Sequence, residues 1–582
     1  MASVVIQGLF CFIANFLASP TQKTYYYTLF ELMKDNTRLL YILIFALAMV
    51  VNVAGINVNF FTDDPALYAS IAKNMLYKND IVQLFTYNQD WLDKPHFPFW
   101  MAFLSFKVFG VSVWAYRLPA LLFFMLGLLY TFLFARKYYA IKIATTAVLI
   151  LATAQYIFMG NIDVRAEPYL LALIIGSIYH IAQLQERFSW RDILLAALLT
   201  ACAIMTKGIF VIVAIYGSLL GQLLFQKRLR ELFSLRNIGL YLLTLILVLP
   251  ELYTLYLQFD LHPEKLVFEK HNVSGIKWFL WDSQFGRFAN NGPIAQKSSG
   301  DVFFYLHTLL WAFAPWCLLF YFALYKRVQG IIKKEKQAEY YTISGGLLLL
   351  ILFSLSRFQL PFYTNAILPL FAIILAPYCT MQLSGIERKI RLVSQWLYIV
   401  AFPIAILVIN LFIAPKNGWL FYADCVAFFV LILFIIKQSK YLPQKVFLLT
   451  CSVTLFANFY LNTILYHEVA AYNGQISAAK YIDQPQFKNT PVYSLKLQNN
   501  NFQFYTDRQV AYIPLEGFGQ FNAPANAVFY ANQASVDYLN QNHIGFTVLK
   551  DFINYPQERI LPDFINKINR YKVLDKVYLI RK

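Results

Sequence analysis

Charged residues make up only 14% of this 582-residue chain, against about 25% in soluble domains. So few charges cannot keep a globule of this length in water. An ordinary soluble enzyme, which would divide into roughly three to five domains, is therefore excluded. Disorder is excluded as well, because hydrophobic residues reach 59% and aromatics 18%. The chain has no Cys-x-x-Cys pair. Its six cysteines (Cys11, Cys202, Cys317, Cys379, Cys425 and Cys451) all lie in apolar segments, which argues for free thiols with neither a disulfide framework nor a cysteine metal site. No repeat of fixed period is visible. Acidic residues are in deficit, 31 against 49 Lys and Arg, giving a net charge of +18. The basic residues fall in short clusters between apolar runs, the pattern of membrane loops, so no nucleic-acid partner is expected.

Apolar runs of the ~20 residues needed to cross a bilayer are abundant. Thirteen spans are expected, near 39–57, 114–135, 141–159, 167–184, 192–206, 208–225, 238–257, 303–325, 340–356, 361–382, 392–413, 418–436 and 444–466. The fifth and sixth are divided only by Thr206-Lys207-Gly208 and could instead form one kinked helix. Alternate loops are basic: Arg136, Lys137 and Lys142; Arg187 and Arg191; Lys227, Arg228, Arg230 and Arg236; Lys326, Arg327, Lys333, Lys334 and Lys336; Arg388, Lys389 and Arg391; Lys437, Lys440 and Lys445. The short loops of opposite parity hold single basic residues, namely Arg165, Lys207, Arg357 and Lys416. The positive-inside rule places the first set in the cytoplasm together with the N-terminus, and turns 58–113, 258–302 and 467–582 outward. A single span over 192–225 would reverse every later loop, so the charge bias supports thirteen.

Val4–Ala18 is apolar but lacks the basic region of a signal peptide, and residues 1–38 read as a cytoplasmic or peripheral segment. From about 467 the composition changes to Asn-rich loops (Asn499–Asn501) and short β-type runs, Pro491–Leu497, Ala527–Tyr530 and Lys576–Ile580. The expected fold is an all-α polytopic membrane bundle over 39–466 with a small α/β extracytoplasmic domain over 467–582.

Ionisable residues concentrate at the outward side of these spans. Asp63-Asp64-Pro65 follows the first span, and Asp64-Pro65 suits a helix start, with Asp64 as a plain N-cap. Beyond it, Leu67, Ile71 and Met75 with Tyr68, Ala72 and Leu76 form an apolar stripe, which predicts a helix lying along the membrane interface. Leu92-Asp93-Lys94-Pro95-His96 follows, then Phe109-Gly110 and Trp114-Ala115-Tyr116-Arg117-Leu118-Pro119. The next outward loop reads Asp163-Val164-Arg165-Ala166-Glu167. Such residues can snorkel to the interface, but several converging acids and bases at one depth suggest a site.

The order Asp-Asp-Pro-x-x-Tyr-Ala, Leu-Asp-Lys-Pro, Phe-Gly-x-x-x-Trp-x-x-Arg-Leu-Pro resembles the GT-C membrane glycosyltransferases. Within them it is most similar to the branch of the lipid A aminoarabinose transferases and protein O-mannosyltransferases. Thr206-Lys207-Gly208, Trp281–Phe288, Ala314-Pro315-Trp316 and Phe353–Pro369 extend the resemblance. It rests on motifs over 39–382, on span count to 466, and on architecture beyond. It implies transfer of a sugar from a polyprenyl-phosphate donor, such as undecaprenyl phosphate, to a lipid (lipid A-like), glycan or protein acceptor at the outer face of a bacterial inner membrane. It implies Asp64, with Asp63 as understudy, and Asp163 as catalytic acids. A hydroxyl acceptor would need Asp64 as base; a phosphate acceptor, already ionised, would not. Lys94 is the first choice for the departing phosphate. Tyr68, Arg117, Arg165, Glu167, Lys207, Arg287, Arg357 and Tyr363 are the further substrate-binding candidates.

Four positions depart from the aminoarabinose transferase pattern: Asp93 stands for Glu, His96 for Pro, Leu67 for Arg and Gln284 for His. The positions of Asp93 and Gln284 are those implied to help hold a divalent metal. Carboxylate plus Gln is a weak zinc pair, so one divalent ion, with Asp93 as ligand and His96 or Asp282 in support, is left open as cofactor. Two competing readings remain. A transporter or flippase would show charges and broken helices at the midplane and repeated halves. A glycan polymerase or ligase would work from a large loop such as 258–302.

Overall fold

The computed structural model describes residues 36–296, 300–415, 418–496, 499–556 and 559–582. The expectation for residues 1–38 therefore falls almost wholly outside the described residues.

The chain is mostly helical, with a sheet near its C-terminal end. Among the described residues, six helices are long and apolar enough to cross a membrane: Val113–Tyr138, Leu235–Asp260, Pro361–Thr380, Gly385–Ile413, Gly418–Gln438 and Leu442–Ala470. Ile141–Ala152 and Gln155–Ile162, bent by 53°, would together make a seventh. Each of the thirteen expected segments coincides with helix, but several are short or interrupted. Residues 303–325 break at Pro315 into Phe304–Ala312 and Cys317–Ile332, as a residue without an N–H dictates. The segment at 361 opens with a 3-10 turn, Pro361–Ile367, before Leu368–Thr380. Residues 192–225 divide into Trp190–Lys207 and Val211–Phe225. The break is Gly208, whose φ of 101° is a conformation L side chains avoid. A Cβ at this glycine would also collide with the Gln284 side chain.

Segment 58–113 is more ordered than a loop. Asp63–Lys78 is helical, and Thr62, in extended conformation, is its N-cap. Asp64 is thus inside the first turn and does not cap, which corrects the expectation from Asp64-Pro65. Nor does this helix present a stripe to lipid. Pro65, Ala66, Tyr68 to Lys73 and Met75 are buried, because the helix is packed between Phe97–Phe109 and the short tail helix Asn500–Tyr505. Phe97–Phe109 itself was not foreseen, since its apolar residues run nearly all round the helix and show no period.

In the tail, and among the described residues, five strands form one mixed sheet in the order 511–512, 492–494, 528–532, 575–581, 547–554. The first two pairings are parallel and the last two antiparallel. The sheet core is Val528, Tyr530, Val577 and Leu579 on one face, with Phe529, Ala531 and Ile580 on the other, the period-two alternation of a strand. Lys73, buried, reaches from Asp63–Lys78 to the tail, donating to the carbonyls of Gln503 (3.1 Å), Phe504 (2.9 Å) and Thr506.

Candidate active site

Asp63 and Asp64 sit at a helix N-terminus, where their charges are favourable. Successive residues are turned by about 100° around a helix, so the two carboxylates part. Asp63 turns to the tail and accepts from the Asn500 backbone N–H at 3.3 Å and its Nδ2 at 2.5 Å. Asp64 turns to Arg165, with which it is ion-paired. Arg165 also grips Asp163, with Nε and a terminal nitrogen each 3.1 Å from Oδ2, while Thr62 Oγ1 donates to Asp163 Oδ1 at 2.5 Å. The guanidinium lies 4.5 Å over the Phe362 ring. Burial works against its charge, but Asp163 and Asp64 outweigh it and hold the pKa of Arg165 above its ordinary value.

A second cluster faces this one. Lys94 Nζ is 2.5 Å from Asp93 Oδ2, and Arg287 is paired with Asp93 Oδ1. Burial, and then the Arg287 guanidinium, bring the Lys94 ammonium down to about 8. Burial alone would raise the Asp93 carboxyl, yet Lys94 and Arg287 pull it below the usual carboxylate range. Lys207 is paired with the buried Glu167 and stands 4.0 Å from the Tyr363 ring centroid. Asp93, Lys94, Lys207, Glu251, Gln284 and Arg287 line one narrow cleft. Tyr68 joins the two clusters. It is buried edge-on to Trp91 (6.1 Å) and Phe99 (5.4 Å). Burial first, then the carboxylates of Asp64, Asp93 and Glu167, keep its phenol protonated far above the ordinary range. Glu167 Oε2 and Arg287 Nε are buried without a partner among the described residues.

The structure thus brings together Asp64, Tyr68, Asp93, Lys94, Asp163, Arg165, Glu167, Lys207, Arg287 and Tyr363. It leaves out three others. Arg117 is buried and wholly committed to main chain, donating to the carbonyls of Ile162 (2.8 Å), Gly55 (3.2 Å), Ile56 (3.0 Å) and Val58. Asp63 serves the tail contact, and Arg357 is exposed. Phe362, which underlies Arg165 and lies 5.2 Å from Lys207, was not anticipated; its position directly before Tyr363 was the available signal.

These residues do not fit a divalent ion. Both oxygens of Asp93 are taken by cations, Gln284 Nε2 donates to Ser283 Oγ at 2.9 Å, and His96 is turned to Glu251 and Val82. Among the described residues no group of three or more His, Cys, Asp or Glu could hold a metal.

A bundle of this kind, with acids and cations gathered beside its first helices, has the fold of a GT-C membrane glycosyltransferase, and part of the chain matches a family model of that class. Residues 93–253 match the dolichyl-phosphate-mannose-protein mannosyltransferase family model. An uncharacterized protein of Aquifex aeolicus (strain VF5) is 26% identical over 459 residues, 76% of this chain and 82% of that one. The undecaprenyl phosphate-alpha-4-amino-4-deoxy-L-arabinose arabinosyl transferase of Serratia proteamaculans (strain 568) is 21% identical over 395 residues, 66% of this chain and 67% of its own. The crystal structure of ArnT from Cupriavidus metallidurans bound to undecaprenyl phosphate aligns with a TM-score of 0.72 at 16% identity, covering 93% of this chain and 97% of that one. The fold is therefore shared across the tail as well, where the sequence offered no motif.

Proposed function

We propose that the chain moves a sugar from a polyprenyl-phosphate donor to a lipid (lipid A-like), glycan or protein acceptor. The carrying observation is the cleft into which Lys94, Lys207 and Arg287 gather, Lys94 and Arg287 held by Asp93 and Lys207 held by the buried Glu167. Lys94, Lys207 and Arg287 converge there on the place a phosphate would take, and the partnerless Arg287 Nε adds a donor. Preorganised donors aimed at the leaving phosphate are the largest rate term such a site can supply. Across Tyr68, Asp64 retains 42% side-chain exposure, so an acceptor can reach it. Arg165 orients that carboxylate to take a proton from a hydroxyl acceptor. A phosphate acceptor would need only its orientation. With the donor set as it stands, no step is routed through a metal.

The reading places the protein in a bacterial inner membrane with thirteen crossings, the N-terminus inside and the tail outside. The loop charges and the match of every expected segment to helix support this. Incubating the purified protein with a panel of polyprenyl-phosphate sugars should consume one donor. Asp64→Asn should lower turnover by about 100- to 10,000-fold, and Lys94→Ala should also abolish it, both in folded protein. Unchanged turnover in both variants removes the site assignment.

A further inference from the structure

One buried ionisable pair stands at the edge of that cleft. His96 and Glu251 are fully buried. A single carboxylate grips His96 twice: the backbone N–H donates to Oε2 at 3.0 Å, and Nδ1 lies 3.0 Å from Oε1. The other ring nitrogen, Nε2, is 2.8 Å from the Val82 carbonyl oxygen. A carbonyl only accepts, so Nε2 carries a hydrogen. Nδ1 and Oε1 then share a second proton, as imidazolium with carboxylate or as a neutral couple, and neither partner is left bare.

Glu251 lies on the helix Leu235–Leu255, and the residues that follow it continue the grip. Thr254 Oγ1 is 3.4 Å from His96 Nδ1. Gln258 accepts from Leu84 N–H at 2.9 Å and donates to the Leu84 carbonyl and to Asp90 Oδ1, both at 2.9 Å. Positions 251, 254 and 258 share one helical face, so this face straps residues 82–96 onto the bundle. Lys94 stands two residues before His96. Pro95 between them has a fixed φ and gives little slack. Glu251 also borders the cleft that Lys94 enters.

We propose that His96 and Glu251 are positioning residues that aim the Lys94 ammonium at the donor phosphate without touching the donor themselves. The proposal rests on the donor reading above, and its test separates the two. Binding of undecaprenyl phosphate to the full chain in detergent, followed by tryptophan fluorescence, gives Kd for the unsubstituted protein, Lys94→Ala, Glu251→Gln, His96→Ala, and each of the last two combined with Lys94→Ala. A melting curve reports folding. Glu251→Gln and His96→Ala should each raise Kd by about 10- to 100-fold, a part of the cost of losing the charged contact that Lys94 supplies. Once Lys94 is gone, each should change Kd by less than about twofold, because the route they act through has been removed. The same loss in both backgrounds marks a merely structural pair and overturns the proposal, as does an unchanged Kd in folded Glu251→Gln. His96→Ala carries the test if Glu251→Gln does not fold; failure of both to fold also overturns it. No binding by the unsubstituted protein overturns the donor reading, and this proposal with it.

Discussion

Raising the pH should weaken donor binding through one lysine. Lys94 sits at about 8, lowered from 10.5 first by burial and then by Arg287. At 1.36 kcal/mol per unit, that displacement corresponds to about 3 kcal/mol against the buried ammonium. The folded value lies below the unfolded one. Between about 8 and 10.5 the folded protein has therefore lost this charge while the unfolded chain keeps it. Fold stability from this group is present above 10.5 and lost as pH falls through 8. Phosphate recognition runs the opposite way, full below 8 and lost above. Each unit above 8 cuts the protonated fraction tenfold, so Kd for undecaprenyl phosphate should rise about tenfold per unit to a plateau. Losing a buried charged contact costs about 2–5 kcal/mol, so the plateau lies about 30- to 5000-fold up. Fluorescence titration between pH 7 and 10 reads this directly. Lys94→Arg remains charged throughout and should give a flat profile; Lys94→Ala should start weak and stay flat. An unsubstituted protein whose Kd is constant to pH 10, or a Lys94→Ala variant that weakens in parallel with it, would refute the reasoning.

Two more expectations concern the scaffold. Lys73→Met removes three donations to the carbonyls of Gln503, Phe504 and Thr506. It should loosen the tail by about 2–4 kcal/mol, seen as faster limited proteolysis near residue 470 while the remainder stays intact. Arg117→Ala removes the donor to four main-chain carbonyls, of which Gly55 keeps the Val58 N–H, and should cut the yield of monodisperse protein severely. Lys at this position should not rescue it, since a compact ammonium lacks the fork that spans both groups.

The parts of this molecule legible in the sequence are those that short-range pattern controls. Apolar runs place the helices, and alternation places the tail strands. The Asp93–Lys94 and Asp163–Arg165 pairs are near neighbours in the chain, so their motifs already held them together. Arg287 meets Asp93 from 194 positions away; only the resemblance flagged it, because periodicity has no reach at that distance. Arg117 went astray for a related reason. An arginine beside a membrane border reads as a phosphate ligand until the carbonyls of Gly55, Ile56 and Val58, where the first helix ends, are in view. Phe97–Phe109 was missed because a helix apolar on nearly every side carries no moment. The Asp64 cap reading failed because Pro65 is tolerated anywhere in the first turn, so it did not fix which residue begins the helix.

The parting of Asp63 and Asp64 has its own consequence. Two identical neighbours on one turn act as opposite ends of a lever: the first is latched to Asn500 in the tail, the second is paired with Arg165. Rotation of that helix would pull on both ends at once. Seating of the tail and aim of Asp64 are thereby geared to each other, and inserting a single residue before Asp63 would carry Asp63 to the place Asp64 holds and leave the Asn500 latch without its carboxylate.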